Sequence, residues 1–202
     1  VISLQQLSEI YQDVLKDREF AVECEAFSIE VDSAIKKYGV LDHLSFGKIY
    51  AYEVDGFGNA VFMDDANVPS LMSLAYLDSQ MSSDPIYKNT RNFLLSDSNP
   101  YFLRGKYAEG QASPHTGKEK IWPMGIILRA MTSSDDNEII KCLEALKATH
   151  ADTGFMHEAF HKDNPKDFNR EWFAWANTLF GELIIKIYNE RPNILSHSIN
   201  SY

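Results

Sequence analysis

The feature that most constrains this chain is an alternation in the lengths of the links between its amphipathic helices. Apolar residues at helical spacing put Leu4, Leu7, Ile10, Tyr11, Val14 and Leu15 on one stripe, and Cys24, Phe27, Val31, Ile35 and Tyr38 on a second. A tight turn near Asp17 and Arg18 joins these helices, and Gly39 ends the second. The pattern predicts five more helices. One runs from Ser70 to Leu77 after Asn67 and Pro69, and another from Asp84-Pro85 to about Leu95. Met124 to Met131, opened by Pro123, is apolar almost all round and belongs inside the protein. Asp135 and Glu138 resemble a capping box for the sixth helix, which carries Ile139, Ile140, Leu143 and Leu146. The last puts Trp172, Trp175, Leu179, Leu183 and Ile187 on one face.

Short links follow the first, third and fifth of these seven helices; long polar links follow the second, fourth and sixth. Helices joined by short links run antiparallel. All three long links then emerge at one end, and links longer than about 12–15 residues in a compact domain are usually functional. The expected fold is all-α, an α-hairpin toroid. A small β-ribbon is expected in the first long link, where Ile49–Val54 and Ala60–Met63 flank the turn Asp55-Gly-Phe-Gly-Asn59.

Charge and length exclude several classes. A formal net charge of −10, with no local basic cluster, argues against a nucleic-acid partner. No run approaches the roughly 20 apolar residues of a membrane helix. The start, Val-Ile-Ser-Leu-Gln-Gln, lacks the basic and long apolar segments of a signal peptide, and the absence of Met implies a processed or truncated beginning. Cys24 and Cys142 have no metal or redox spacing and read as buried helix residues in a reducing compartment.

Chemistry concentrates between His150 and Asn177, where a loop rich in His, Asp, Glu and Asn runs into a segment with two tryptophans. Glu158, between His157 and apolar neighbours, is the leading carboxylate for acid–base work; the plainer reading is a helix cap or a partner of His157. Glu171 is the rival, though it reads more simply as an acid in the first turn of a helix. His157 and His161 have i, i+4 spacing, but the residues between them are not a zincin's, and no metal or other cofactor is expected. Trp122, Trp172 and Trp175 could stack on sugar rings, yet tryptophan at helical spacing is more often core. Asp55, Asn59, Asp64, Asp65 and His115 could bind hydroxyls, or serve as ordinary turn and cap residues. Ser113 and His115 suggest a hydrolase, but a G-x-S-x-G elbow is missing.

Several segments together resemble glycoside hydrolase family 125, the exo-acting α-1,6-mannosidases. They are Tyr52-Glu-Val-Asp-Gly-Phe-Gly-Asn59, Met63-Asp-Asp-Ala-Asn-Val-Pro-Ser70, Ser113-Pro-His-Thr-Gly117, Trp122-Pro-Met124, Gly154-Phe-Met-His-Glu158 and Trp172-Phe-Ala-Trp-Ala-Asn177. The resemblance spans about residues 48 to 186. It implies an (α/α)6 barrel and a metal-independent, inverting removal of terminal mannose from a mannose-containing oligosaccharide or N-glycan. Inversion uses an acid and a base carboxylate roughly 6.5–9.5 Å apart. By the likeness Glu158 is the base, with Glu171 as fallback, and Asp55, Asn59, Asp65, His115, Trp122 and His157 line the mannose pocket. The likeness also implies a cytoplasmic location. The family's acidic Asp lies in a Phe-Arg-Pro-Ser-Asp-Asp segment that this chain lacks, and seven helices are read where such a barrel needs twelve.

Residues 1–202 are therefore expected to be the C-terminal portion of one catalytic domain. The missing half would be its partner, and the exposed apolar helix faces would be the contact. Two other readings stay open: a non-catalytic carbohydrate-binding or interaction module, and a different toroid glycosidase whose acid is Asp55 or Asp65.

Overall fold

The computed structural model describes residues 1–199. Helix α1 (Ile2–Ile10) continues through a π-helical turn, Tyr11–Leu15, to a left-handed Lys16. The chain then doubles back as α2 (Arg18–Tyr38), whose first turn is capped by Asp17 accepting from the Phe20 amide at 3.1 Å. Ser8 Oγ–H donates to the Ala21 carbonyl, and Tyr11 meets Phe20 edge-on at 4.5 Å, which locks this hairpin. Only Ala21, Cys24 and Ser28 of the pair are buried. Leu7, Ile10, Val14, Phe20, Phe27 and Ile35 remain exposed, so much of the expected apolar stripe faces outward.

The first long link builds two hairpins, β1–β2 (Val40–His43, Gly47–Tyr50) and β3–β4 (Glu53–Val54, Ala60–Val61). The second is the expected ribbon in shortened form, because Ile49 and Tyr50 pair with β1 instead of continuing into it, and the β1–β2 hairpin is not evident in the sequence. The β1–β2 hairpin seats on a later helix, α4 (Pro85–Leu94): the Tyr50 amide donates to Thr90 Oγ1, and Asn89 Nδ2 to the Lys48 carbonyl. The predicted helix at Ser70–Leu77 shrinks to α3 (Leu74–Leu77) and a 3-10 segment, Ser79–Ser83. The Leu71 and Met72 amides ahead of α3 donate to Asp64. The Asp84 cap and Pro85 start of α4 hold as predicted, and Asp84 also accepts from Tyr50 Oη at 2.7 Å.

Helix α5 (Pro123–Met131) is the centre of the fold, with eight of its nine residues buried. It packs against α6 (Asp136–Thr149) and α7 (Ala174–Glu190). A Cβ on Gly125 would lie 3.1 Å from Gln111 Cβ, so the glycine lets the second long link lie close on the helix. Asp135 caps α6, but Glu138 does not complete the capping box. Its carboxylate is taken by Arg91, Arg129 and Ser133, stronger partners than one exposed amide. An eighth helix, α8 (Pro192–Ile199), follows α7; Pro192 fits a first helical turn, a signal the periodicity reading passed over.

The second and third long links are strands as much as loops: β5 (Phe102–Arg104), β6 (Glu109–Gln111), β7 (Lys120–Ile121), β8 (Ala159–His161) and β9 (Asn164–Asn169). Strands β7, β8 and β9 form one antiparallel sheet that joins the two links. Gly105 allows them to touch, since a Cβ there would overlap the backbone of Lys162. The Ala66 amide donates to the Ala112 carbonyl, tying the first link to the second. The three long links thus meet, as the alternation in link length predicts.

Candidate active site

The site is built where these links converge. Glu158 stands just before β8, and its amide donates to the Asn169 carbonyl at the end of β9. This registers Arg170 beside it, with Arg170 Nε 3.4 Å from Glu158 Oε2. The Glu158 side chain is 15% exposed, enough for contact with a ligand and mostly shielded from bulk water. Arg170 adopts a left-handed backbone (φ 47°) and turns the chain into the segment before α7. There the Phe173 amide donates to the Met156 carbonyl, and Asn177 closes the corner by bonding Met156 and Phe173.

His157 is buried, with its ring stacked on Phe168 at 3.9 Å. Its Nδ1 lies 2.7 Å from the Glu171 carbonyl, which can only accept, so Nδ1 carries the proton. Nε2 is buried and without a partner among the described residues, and with the proton on Nδ1 alone it is an acceptor. Asp65 has the same character: it is 4% exposed, Oδ2 lies 3.6 Å from His115 Nε2, and Oδ1 is buried without a partner among the described residues. Two acceptors that need donors suit a ligand rich in hydroxyls.

Trp122 is not open. It is 3% exposed, donates Nε1–H to Thr116 Oγ1 at 2.6 Å, and meets Phe173 edge-on at 6.1 Å. The exposed tryptophans are Trp172 (57%) and Trp175 (46%). Trp172 falls outside the last helix, which begins only at Ala174; Trp175 lies on it but is exposed, off the face that buries Leu179, Leu183 and Ile187. Glu171 is likewise exposed in the extended link, not in a first helical turn, because Phe173 N is held by Met156 and keeps the preceding residues out of the helix. Asp55 and Asn59 close on each other at an exposed turn, Asn59 Nδ2 donating to Asp55 Oδ2 at 2.6 Å. That bond and the Phe57 amide hold the Asp55 carboxyl below its ordinary value. Ser113 Oγ accepts from the His115 amide at 3.2 Å, so the serine is bonded to backbone while the imidazole lies on the Asp65 side. His157 and His161 flank non-helical chain, and His161 Nε2 pairs with Glu119, which removes the helical premise of a zinc pair.

Sequence reasoning singled out neither Asp64 as distinct from Asp65 nor Gln111, Tyr52 or Arg170. Asp64 is fully buried and accepts from the Leu71 and Met72 amides and from Gln111 Nε2. Burial raises its carboxyl to about 6 against the pull of those three bonds. A perturbed carboxyl in a site is a candidate for chemistry, but this one is enclosed by N–H donors and serves as a framework. Tyr52, at the foot of the β3–β4 hairpin, has its phenol raised first by burial and then by the charges of Asp65, Glu53 and Asp64, which puts it beside the same cluster. The doubled aspartate was the available signal; which one faces inward is set by the loop.

The sequence model of a family described as metal-independent alpha-mannosidase (GH125) matches residues 1–185. The meiotically up-regulated gene 157 protein of Schizosaccharomyces pombe is 48% identical over 167 residues, covering 82% of this chain and 33% of that protein. A solved structure from Streptococcus pneumoniae is similar over 94% of this chain and 45% of its own, with a TM-score of 0.89 and 40% identity. That protein is described as a metal-independent α-mannosidase in a non-productive substrate complex with α-1,6-mannobiose. The chain spans about a third of the curated relative and less than half of the solved one. Its helices and small strand pairs make part of an (α/α)6 toroid. By sequence and by fold, the chain belongs to glycoside hydrolase family 125, the metal-independent α-mannosidases.

Proposed function

We propose that this chain carries the base side of an inverting exo-α-1,6-mannosidase, and that the general acid is supplied by the rest of the family fold. The observation that carries the reading is Glu158: a mostly shielded carboxylate paired with Arg170, in the segment whose preceding residue, His157, leaves a buried ring nitrogen without a partner among the described residues. Its carboxylate takes a proton from water as that water attacks the anomeric carbon. The acid protonates the departing glycosidic oxygen, and the sugar leaves with inverted configuration. His157 Nε2 and Asp65 Oδ1 accept from mannose hydroxyls, and Trp172 and Trp175 offer flat surface to the glycan. Asp55 is unsuited to be the acid, because its hydrogen bonds favour the ionised form, whereas an acid must hold its proton at working pH. The outward apolar faces of α1 and α2 are the surface on which the remaining helices of the barrel pack.

Glu158→Gln in the complete enzyme tests this. Turnover of α-1,6-mannobiose should vanish while calorimetric binding of the sugar persists, and Glu171→Gln should keep turnover. Turnover in Glu158→Gln with loss in Glu171→Gln would move the base to Glu171. Sugar binding without mannose release by the complete wild-type protein would make it a carbohydrate-binding module.

A further inference from the structure

We infer that Arg170 is the positioning residue of Glu158, holding Oε2 of the carboxylate so that Oε1 is presented to the attacking water; the inference rests on the reading of Glu158 as the base. Arg170 and Glu158 form the ion pair described above, at 3.4 Å. The guanidinium also lies 5.7 Å from the centre of the Phe173 ring, so the same cation faces the carboxylate and an aromatic wall of the site. The plain alternative is a surface ion pair, since the Arg170 side chain is 65% exposed, and such pairs contribute little. The backbone argues against it. A non-glycine residue held at φ 47° is strained, and such residues cluster at functional sites. Backbone bonds on either side hold that turn, and the turn keeps the cation beside the carboxylate.

Local wiring shows what the strained turn accomplishes. Asn169 accepts from the Glu158 amide, Glu171 accepts from His157 Nδ1, and Phe173 donates to the Met156 carbonyl. Residues 169–173 therefore wrap residues 156–158, with Arg170 at the apex. An extended residue there would carry the cation away from the carboxylate. Arginine suits the position because Nε can face the carboxylate edge while the planar group lies near the ring.

The test exploits the backbone. Arg170→Gly removes the cation but relieves the left-handed strain, so folding should not suffer. Arg170→Gly and Arg170→Lys are measured in the complete enzyme beside Glu158→Gln. The expected result for Arg170→Gly is an unchanged or raised Tm, a KM within about twofold and a kcat about 100-fold lower, the scale of loss from misplacing a catalytic group. Arg170→Lys should recover about tenfold of the kcat. An unchanged kcat in Arg170→Gly, with Glu158→Gln inactive, overturns the inference and leaves the base assignment standing. A lowered Tm with KM and kcat both worse would make Arg170 a structural residue and also overturn it. Activity in Glu158→Gln overturns the base assignment and the inference together.

Discussion

Replacing Asp64 with Asn should change how stability depends on pH, because Asp64 is a fully buried carboxyl surrounded by donors. Burial raises it from the ordinary value of 3.8 to about 6, and the bonds from Leu71, Met72 and Gln111 pull against that rise. The folded value is above the unfolded one, so the fold favours the protonated form. That contribution is complete below about 3.8 and is lost as pH rises through about 6. Integrating between pH 4.5 and 7 gives a loss of about 2 kcal/mol. Asn at this position does not titrate. It also sets an amide N–H₂ against a donor now facing a carboxylate oxygen, a pH-independent penalty of about 1–3 kcal/mol. Urea unfolding of both proteins at pH 4.5 and 7, compared as a difference, isolates the titration. The wild-type protein should lose about 2 kcal/mol relative to Asp64→Asn on going from pH 4.5 to 7. A difference that stays constant, or moves the other way, would refute the reasoning.

Glu138→Ala strips Arg91 and Arg129 of a shared carboxylate at 2.8 Å from each. Because Arg129 keeps Glu109 and the cluster is partly hydrated, the cost is about 2–3 kcal/mol, read as a Tm lower by about 5–10 °C. Burial alone would raise the Glu138 carboxyl, but Ser133, Arg129 and Arg91 hold it below its ordinary 4.5, so its stabilisation is present above that value and disappears as pH falls through the lowered one. Cys142, whose thiol burial pushes up to about 12, should not react with a thiol reagent at pH 8 until the protein unfolds; rapid labelling of the native protein at Cys142 would contradict its packing.

Much of the helical frame is legible because periodicity and caps are local. Asp84-Pro85, Asp135 and the all-round apolar run before Met131 each specify an element without knowledge of the rest. The link-length alternation carried further, placing three long segments together that the Ala66–Ala112 bond and the β7–β8–β9 sheet do join. Legibility ends where distant backbone decides. Strand β9, Asn164–Asn169, contains Pro165 and Lys166 and has no alternating pattern; its pairing with β8 makes it a strand. Trp172 was read into a helix because helical spacing ignores the Met156–Phe173 bond that keeps it out. Arg170 gave no signal at all, since a positive φ on arginine is a tertiary fact.

The most direct test of the central claim follows the anomeric signals of mannose by proton NMR during cleavage of α-1,6-mannobiose, by residues 1–202 alone and by the complete enzyme. Glu158 acting as base predicts that this chain alone releases no mannose and that the complete enzyme gives the β anomer first. Mannose released by the 202 residues alone would place the acid within this chain. The α anomer appearing first would make Glu158 something other than the base of an inverting reaction.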